Sequence, residues 1–345
     1  MLTNVTEKTG GSCLNRAFLP DVLRIILCLG VFVYHLTPER CSSGPLSVNA
    51  FLVMSGFWVG VMVFSGRPFE SHVFFSKKCR RLLPMLLMAF VLGVIYRFVE
   101  GNGFFWMPRE QWGYFDMSQF FFYYNRPLWY MVIECILLMA VPFMVFLARR
   151  KGVLEVAWVV AIVFAGWLFS QVAENAPFGQ GLYYSPWARM WQFMAGLVAA
   201  RYVLRMKDLP MVQGRAFKSV TLLMFAVFVV AMGLLMVLKQ DRDLNYLNYT
   251  FRFDVVTTLF CVPLVAGLYL WRVRVSQGVS RALAYGAELT YPVFLLHMVV
   301  YQSCELLVER NEVTVSHAVI VGATAVLTLL LSVLMLRVDR MVSAR

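Results

Sequence analysis

The chain alternates long apolar runs with short polar breaks. Ten runs stand out: Phe18–Leu36, Leu46–Ser65, Leu82–Val99, Pro127–Ala148, Val153–Val172, Pro186–Leu204, Lys218–Leu238, Phe251–Trp271, Ala282–Leu307 and His317–Val338. Their length is close to the 20 or so residues that a helix needs to cross a hydrocarbon core of ~30 Å. Backbone in lipid must satisfy its own hydrogen bonds, so the runs predict helices. The expected fold is all-α, a polytopic integral membrane protein built as a bundle of about ten transmembrane helices. Residues 1–17 hold Glu7, Lys8 and Arg16 and no apolar stretch, and are expected to be a cytosolic tail, not a cleaved signal peptide. Residues 18–338 are expected to be one ten-helix membrane domain, and 339–345 a second cytosolic tail. The longest break, Glu100–Arg126, carries Phe104, Phe105, Trp106, Trp112, Tyr114 and the run Phe120 to Tyr124, which suits a segment at the headgroup level.

Composition agrees. Hydrophobic residues make up 60% and charged residues 14%, with a mean hydropathy of +0.70; a soluble domain carries roughly 25% charged residues. The net charge of +12 first points to nucleic acid. Its placement points elsewhere, because the basic residues cluster between apolar runs and line no soluble face. Of 31 lysines and arginines, about 21 fall in the two tails and one set of loops, and about nine in the alternate loops. That bias predicts both termini in the cytosol and a multi-pass protein of the inner (cytoplasmic) membrane, with the lipid bilayer and no nucleic acid as its partner. The seven cysteines form no C-x-x-C pair and no zinc spacing, so no metal site is expected.

Ionisable groups inside membrane helices cost several kcal/mol and usually face a cavity or a partner. Asp21, Arg24 and His35 lie on the first predicted helix. Arg24 and His35 are 11 residues apart, which is about three turns plus ~20° and ~16 Å along the axis. They share one face, unless Arg24 merely snorkels and His35 merely caps the outer end. Ser55-Gly56 on the second helix reads either as a small-residue packing notch or as part of a site. Lys77, Lys78, Arg80 and Arg81 read either as positive-inside anchoring or as an anion cradle, with Lys78 and Arg81 one turn apart. Glu134 lies about a turn and a half inside the outer interface, at a depth expected to match His35. Arg189, Arg252, Asp254 and His297 are further intramembrane candidates; a purely structural network is the plain alternative for all of them.

These stretches resemble the acyltransferase 3 family of membrane-bound acyltransferases. The resemblance runs from Leu19 to Leu307 through Asp21-x-x-Arg24-x10-His35, Val48-x-x-Phe51-x3-Ser55-Gly56-Phe57, Lys78-x-x-Arg81-x-x-Pro84, Trp129-x4-Glu134, Arg189-x3-Phe193-x-x-Gly196 and Thr290-Tyr291-x5-His297. Four positions depart from the family pattern. Asn49 stands where an acid is frequent, Lys78 where an arginine is usual, Gln192 where a glutamate is common and Thr290 in place of a serine. Some members carry an extra extracytosolic domain; this chain is expected to be a stand-alone member.

The resemblance implies an O-acyltransferase. It would move an acyl group, most often acetyl, from acyl-CoA to a hydroxyl of a surface carbohydrate or a lipid-linked glycan. Acyl-CoA is then a co-substrate, and no cofactor is bound permanently. A sugar hydroxyl needs a base as it attacks, and His35, with an unperturbed pKa near ~6.5, suits that task. Glu134 is expected to orient its ring. Arg24, Ser55, Arg189, Tyr291 and His297 are candidates to hold the substrate or the developing oxyanion. Lys78 and Arg81 are candidates for the coenzyme A phosphates. A secondary transporter or flippase for a glycan or organic anion, and a catalytically silent scaffold, are the rival readings.

Overall fold

The computed structural model of the protein describes residues 18–37, 43–66, 68–101, 117–172, 184–237, 251–271, 273 and 275–343. The N-terminal tail, Cys13, Cys41 and the loop aromatics from Phe104 to Tyr114 lie outside the described residues. The helices are α1 Leu19–Leu36, α2 Ser43–Phe64, α3 Ser71–Glu100, α4 Met117–Tyr124, α5 Leu128–Met139, α6 Val141–Ala148 and α7 Val153–Val172. They continue as α8 Pro186–Met206, α9 Pro210–Gln213, α10 Arg215–Val237, α11 Phe251–Leu270, α12 Gln277–Arg310 and α13 His317–Ser343. The described residues contain no strand.

Eight of these helices are long and apolar enough to cross a membrane, and α5 with α6, bent by 41° at their junction, make up to nine. The bend has a cause: Pro142 in the first turn of α6 offers no N–H to the turn before it. Helix α8 is long enough at 21 residues but carries Arg189, Gln192, Arg201 and Arg205, and falls short on composition. Most of its length from Pro186 to Ala200 is buried in the bundle, so Arg189 and Gln192 meet other side chains instead of lipid, and Arg201 pairs with Glu155 of α7. By contrast α3, α7, α10 and α13 expose Leu87, Val163, Leu223 and Leu330, as lipid-facing helices do.

Helix α3 begins at Ser71 and not at Leu82, so Lys77, Lys78, Arg80 and Arg81 stand on a helix and not in a loop. The aromatic run of the long break also differs from expectation. Residues 117–124 form α4, whose Phe120, Phe121 and Tyr124 rings pack on Phe90 of α3. The centre of the bundle is the crossing of α2 and α8. A Cβ added at Gly56 would fall on the Phe193 carbonyl of α8, and one at Gly196 on the Val53 carbonyl of α2. Gly60, a turn further along α2, has the Leu197 carbonyl at 2.8 Å from the same hypothetical atom. Small residues at this spacing let two backbones touch. Around this pair, α1 and α11 pack on α2, α7 on α8, and α12 against α1, α3 and α13.

Candidate active site

The intramembrane polar residues fall into three groups. The first lies toward the end of the bundle that carries the basic loops. Ser55 Oγ donates to Glu134 Oε1 at 2.9 Å. Glu134 acts electrostatically on Arg24 and Lys78, and both of these cations lie within reach of Arg81. The Lys78 ammonium sits 5.9 Å from the centroid of the Phe74 ring. Tyr291 donates from Oη to the Leu82 carbonyl at 3.2 Å, which sets it beside Arg81. Asp21 faces Arg24, and Asp339 of α13 faces Arg81. Arg24, Ser55, Lys78, Glu134 and Tyr291 are half-buried, so none of the five is sealed in the core. Arg24 and Lys78 lie within electrostatic reach of one hydrogen-bonded carboxylate, and Arg81 lies beside both cations, an arrangement suited to holding an anionic ligand.

The second group lies toward the opposite end. The rings of His35 and His297 are 5.1 Å apart between centroids, and Phe32 packs on His297 at 5.9 Å. His297 is 1% exposed. Its Nδ1 lies 2.9 Å from the Phe294 carbonyl and 3.2 Å from that of Val293. Both neighbours are acceptors, so Nδ1 carries the hydrogen of the neutral ring and Nε2 keeps the lone pair. Among the described residues Nε2 has no hydrogen-bond partner. The charge that acts on His35 from outside the pair belongs to Arg126.

This differs from the expected pairing of His35 with Glu134. Arg126 is eight residues before Glu134, which is ~12 Å of helix rise. Glu134 therefore sits at the level of Arg24, and His35 meets His297 instead. The expected pairing requires the fourth run to begin at the outer interface. In the structure Asn125 and Leu128 are buried at 1% and 0% exposure, and the Asn125 amide reaches in to the Leu295 carbonyl at 2.8 Å.

The third group is fully buried. Arg189 Nη1 lies 2.8 Å from Asp254 Oδ2, with both side chains at 0% exposure. Asn49 donates to Asp254 Oδ1 at 2.9 Å and to Thr257 at 2.7 Å, and accepts from Gln192 at 2.8 Å. The network ties α2, α8 and α11 together, and it separates Arg189 from the other candidate residues. Tyr130, Arg126 and Asp339 were not singled out in the sequence, although Tyr130 stands one turn from Glu134, a spacing that places both on one face.

A family profile described as an acyltransferase domain matches residues 19–337. The chain belongs to this family, the one its motifs resemble, and is a multi-pass membrane protein. Two proteins of Staphylococcus aureus, from strains COL and MSSA476, are provisionally named O-acetyltransferases; each is 21% identical over 309 residues, covering 81% of this chain and 50% of its own length. The chain thus spans about half the length of the curated relatives it matches. No solved structure matches it. Two departures from the family pattern meet in the third group: the Gln192 amide donates to the Asn49 carbonyl oxygen. Where an acid and a glutamate are frequent, two amides bond to each other.

Proposed function

We propose that the protein is a membrane O-acyltransferase that uses an acyl-CoA donor, most simply acetyl-CoA, and a hydroxyl of a carbohydrate or lipid-linked glycan as acceptor. The separation of a basic cluster from a histidine pair along one bundle carries this reading. The cluster of Arg24, Lys78 and Arg81, with Glu134 beside the first two, suits the anionic end of a coenzyme A thioester arriving from the cytosol. The His35–His297 pair suits a hydroxyl arriving from the other side. The levels of Arg24 and His35 differ by ~16 Å, a distance comparable to the length of a pantetheine arm.

In this reading the acceptor oxygen attacks the thioester carbonyl while its proton passes to Nε2 of His297, or to the ring of His35 beside it. The C–S bond breaks, and the proton returns to the departing thiolate, so the reaction is neutral overall. Glu134 serves the donor end, where it orders Ser55 and balances Arg24 and Lys78. The test is transfer of a labelled acetyl group from acetyl-CoA to an added glycan by the purified protein in detergent. His35→Ala and His297→Ala should each lower kcat by ~10²-fold or more at normal protein level. A transporter without chemistry shows no transfer in detergent. Full activity in both variants removes the histidines from the mechanism.

A further inference from the structure

Between the basic cluster and the histidine pair lies a layer of three aromatic rings. Phe51 of α2, Tyr130 of α5 and Phe294 of α12 contact one another: the centroids are 6.2 Å apart for Phe51–Tyr130, 6.2 Å for Phe51–Phe294 and 5.3 Å for Tyr130–Phe294. Each ring stands one helical turn from a residue of the basic cluster on its own helix. Phe51 is a turn from Ser55, Tyr130 a turn from Glu134, and Phe294 a turn from Tyr291. In every case the ring lies on the histidine side. Helix α2 starts beside the second half of α1, with Ser43 donating to the Gly30 carbonyl. Helix α5 descends from Arg126, and α12 rises toward His297. Phe294 then touches the His297 ring at 6.1 Å, while the charges of Glu134 and Arg24 reach Tyr130. Three separate helices thus repeat one order: a polar residue, a ring, then the histidine level.

Polar groups at two depths of a bundle invite a continuous file of water between them. A complete apolar layer interrupts that file by dewetting. A static packing core needs no such register, with a polar residue under each ring. We propose that Phe51, Tyr130 and Phe294 form the barrier between the donor and acceptor levels, a seal that the acyl thioester must part and that therefore sets which acyl groups pass. The acyl-size part rests on the proposed acyltransferase reading; the seal itself does not.

The experiment separates the two. The whole chain is reconstituted in liposomes that trap a pH-sensitive dye, and the external pH is stepped. Phe51→Ala should raise the rate of proton entry several-fold over the wild-type protein, whereas Tyr130→Phe, which keeps the ring, should leave it unchanged. If Phe51→Ala does not insert, Phe294→Leu takes its place with the same expectation. A variant that inserts normally and is as tight as wild type overturns the seal. The same proteins are then given acetyl-CoA and hexanoyl-CoA with the glycan acceptor. Phe51→Ala should raise hexanoyl relative to acetyl transfer, a change that lost packing alone does not produce. An unchanged ratio overturns the role in acyl selection. Absence of transfer from any thioester by the wild-type protein overturns the acyltransferase reading, and the leak measurement still decides the seal.

Discussion

Arg189 offers the clearest contrast between a residue that acts on substrate and one that holds the bundle. It is 0% exposed, its Nη1 is 2.8 Å from Asp254 Oδ2, and the same nitrogen lies 3.2 Å from Asn49 Oδ1. Arg189→Met fills most of the space but, among the described residues, leaves the Asp254 carboxylate buried with only the Asn49 amide. Removing one partner of a buried pair costs about 3–5 kcal/mol, or roughly two to three and a half decades in the folded-to-unfolded ratio. The lost contact to Asn49 adds little, because Gln192 still donates to the same oxygen at 2.8 Å. Replacing both members, as Arg189→Met with Asp254→Leu, removes the stranded charge and should recover most of the loss. The assay is the fraction of purified protein that stays monodisperse in detergent after stepwise heating, followed by acyl transfer per amount of folded protein. The single variant should fall sharply in the first measurement and stay near wild type in the second. Wild-type thermal behaviour with specific activity lost would refute the structural role and return Arg189 to the substrate.

Gly56→Val should abolish accumulation of folded protein, because its side chain meets the Phe193 carbonyl of a backbone that cannot retreat; membrane levels by immunoblot test this. Gly233→Ala, at a position where a Cβ meets nothing within 4 Å, should be neutral in the same blot. Lys78→Ala with Arg81→Ala should raise the donor KM more than it lowers kcat, since those contacts act on ground state and transition state alike; an unchanged donor KM leaves only an anchoring role. The basic-loop asymmetry predicts that a membrane-impermeant thiol reagent labels Cys41 but not Cys13 in intact cells carrying single-cysteine variants, and the reverse pattern inverts the donor and acceptor sides.

The helices were legible because bilayer thickness sets their length, and nothing tertiary is needed to see a 20-residue apolar run. Even α8, the least apolar, stood out between its polar flanks. What a linear sequence carries poorly is which helix adjoins which. Rise and rotation along α1 put Arg24 and His35 on one face, but no periodicity says whose side chain stands opposite. His297 is more than two hundred and fifty residues from His35 in sequence, and the two meet because α12 packs along α1. Glu134 stands away from His35 for a physical reason: the chain turns into the bundle at the buried corner of Asn125, so Arg126, just before the fourth run, already lies near His35. The resemblance to the acyltransferase family named most of the residues that cluster. It did not distinguish the buried ion pair of Arg189 from the half-buried cluster about Glu134.

Ser55 and Gly56 show why some sequence alternatives are not alternatives. A packing notch and a functional site competed for the same dipeptide, as though one had to be chosen. Neighbouring residues on a helix point ~100° apart, so the two can serve different faces at once. Gly56 faces α8 and admits the Phe193 backbone, while Ser55 faces α5 and donates to Glu134. The close crossing of α2 and α8 fixes the rotation of α2, and that rotation aims the Ser55 hydroxyl. Packing at the glycine thereby positions the polar group beside it. A bulky residue at Gly56 would displace the Glu134 cluster without touching any member of it.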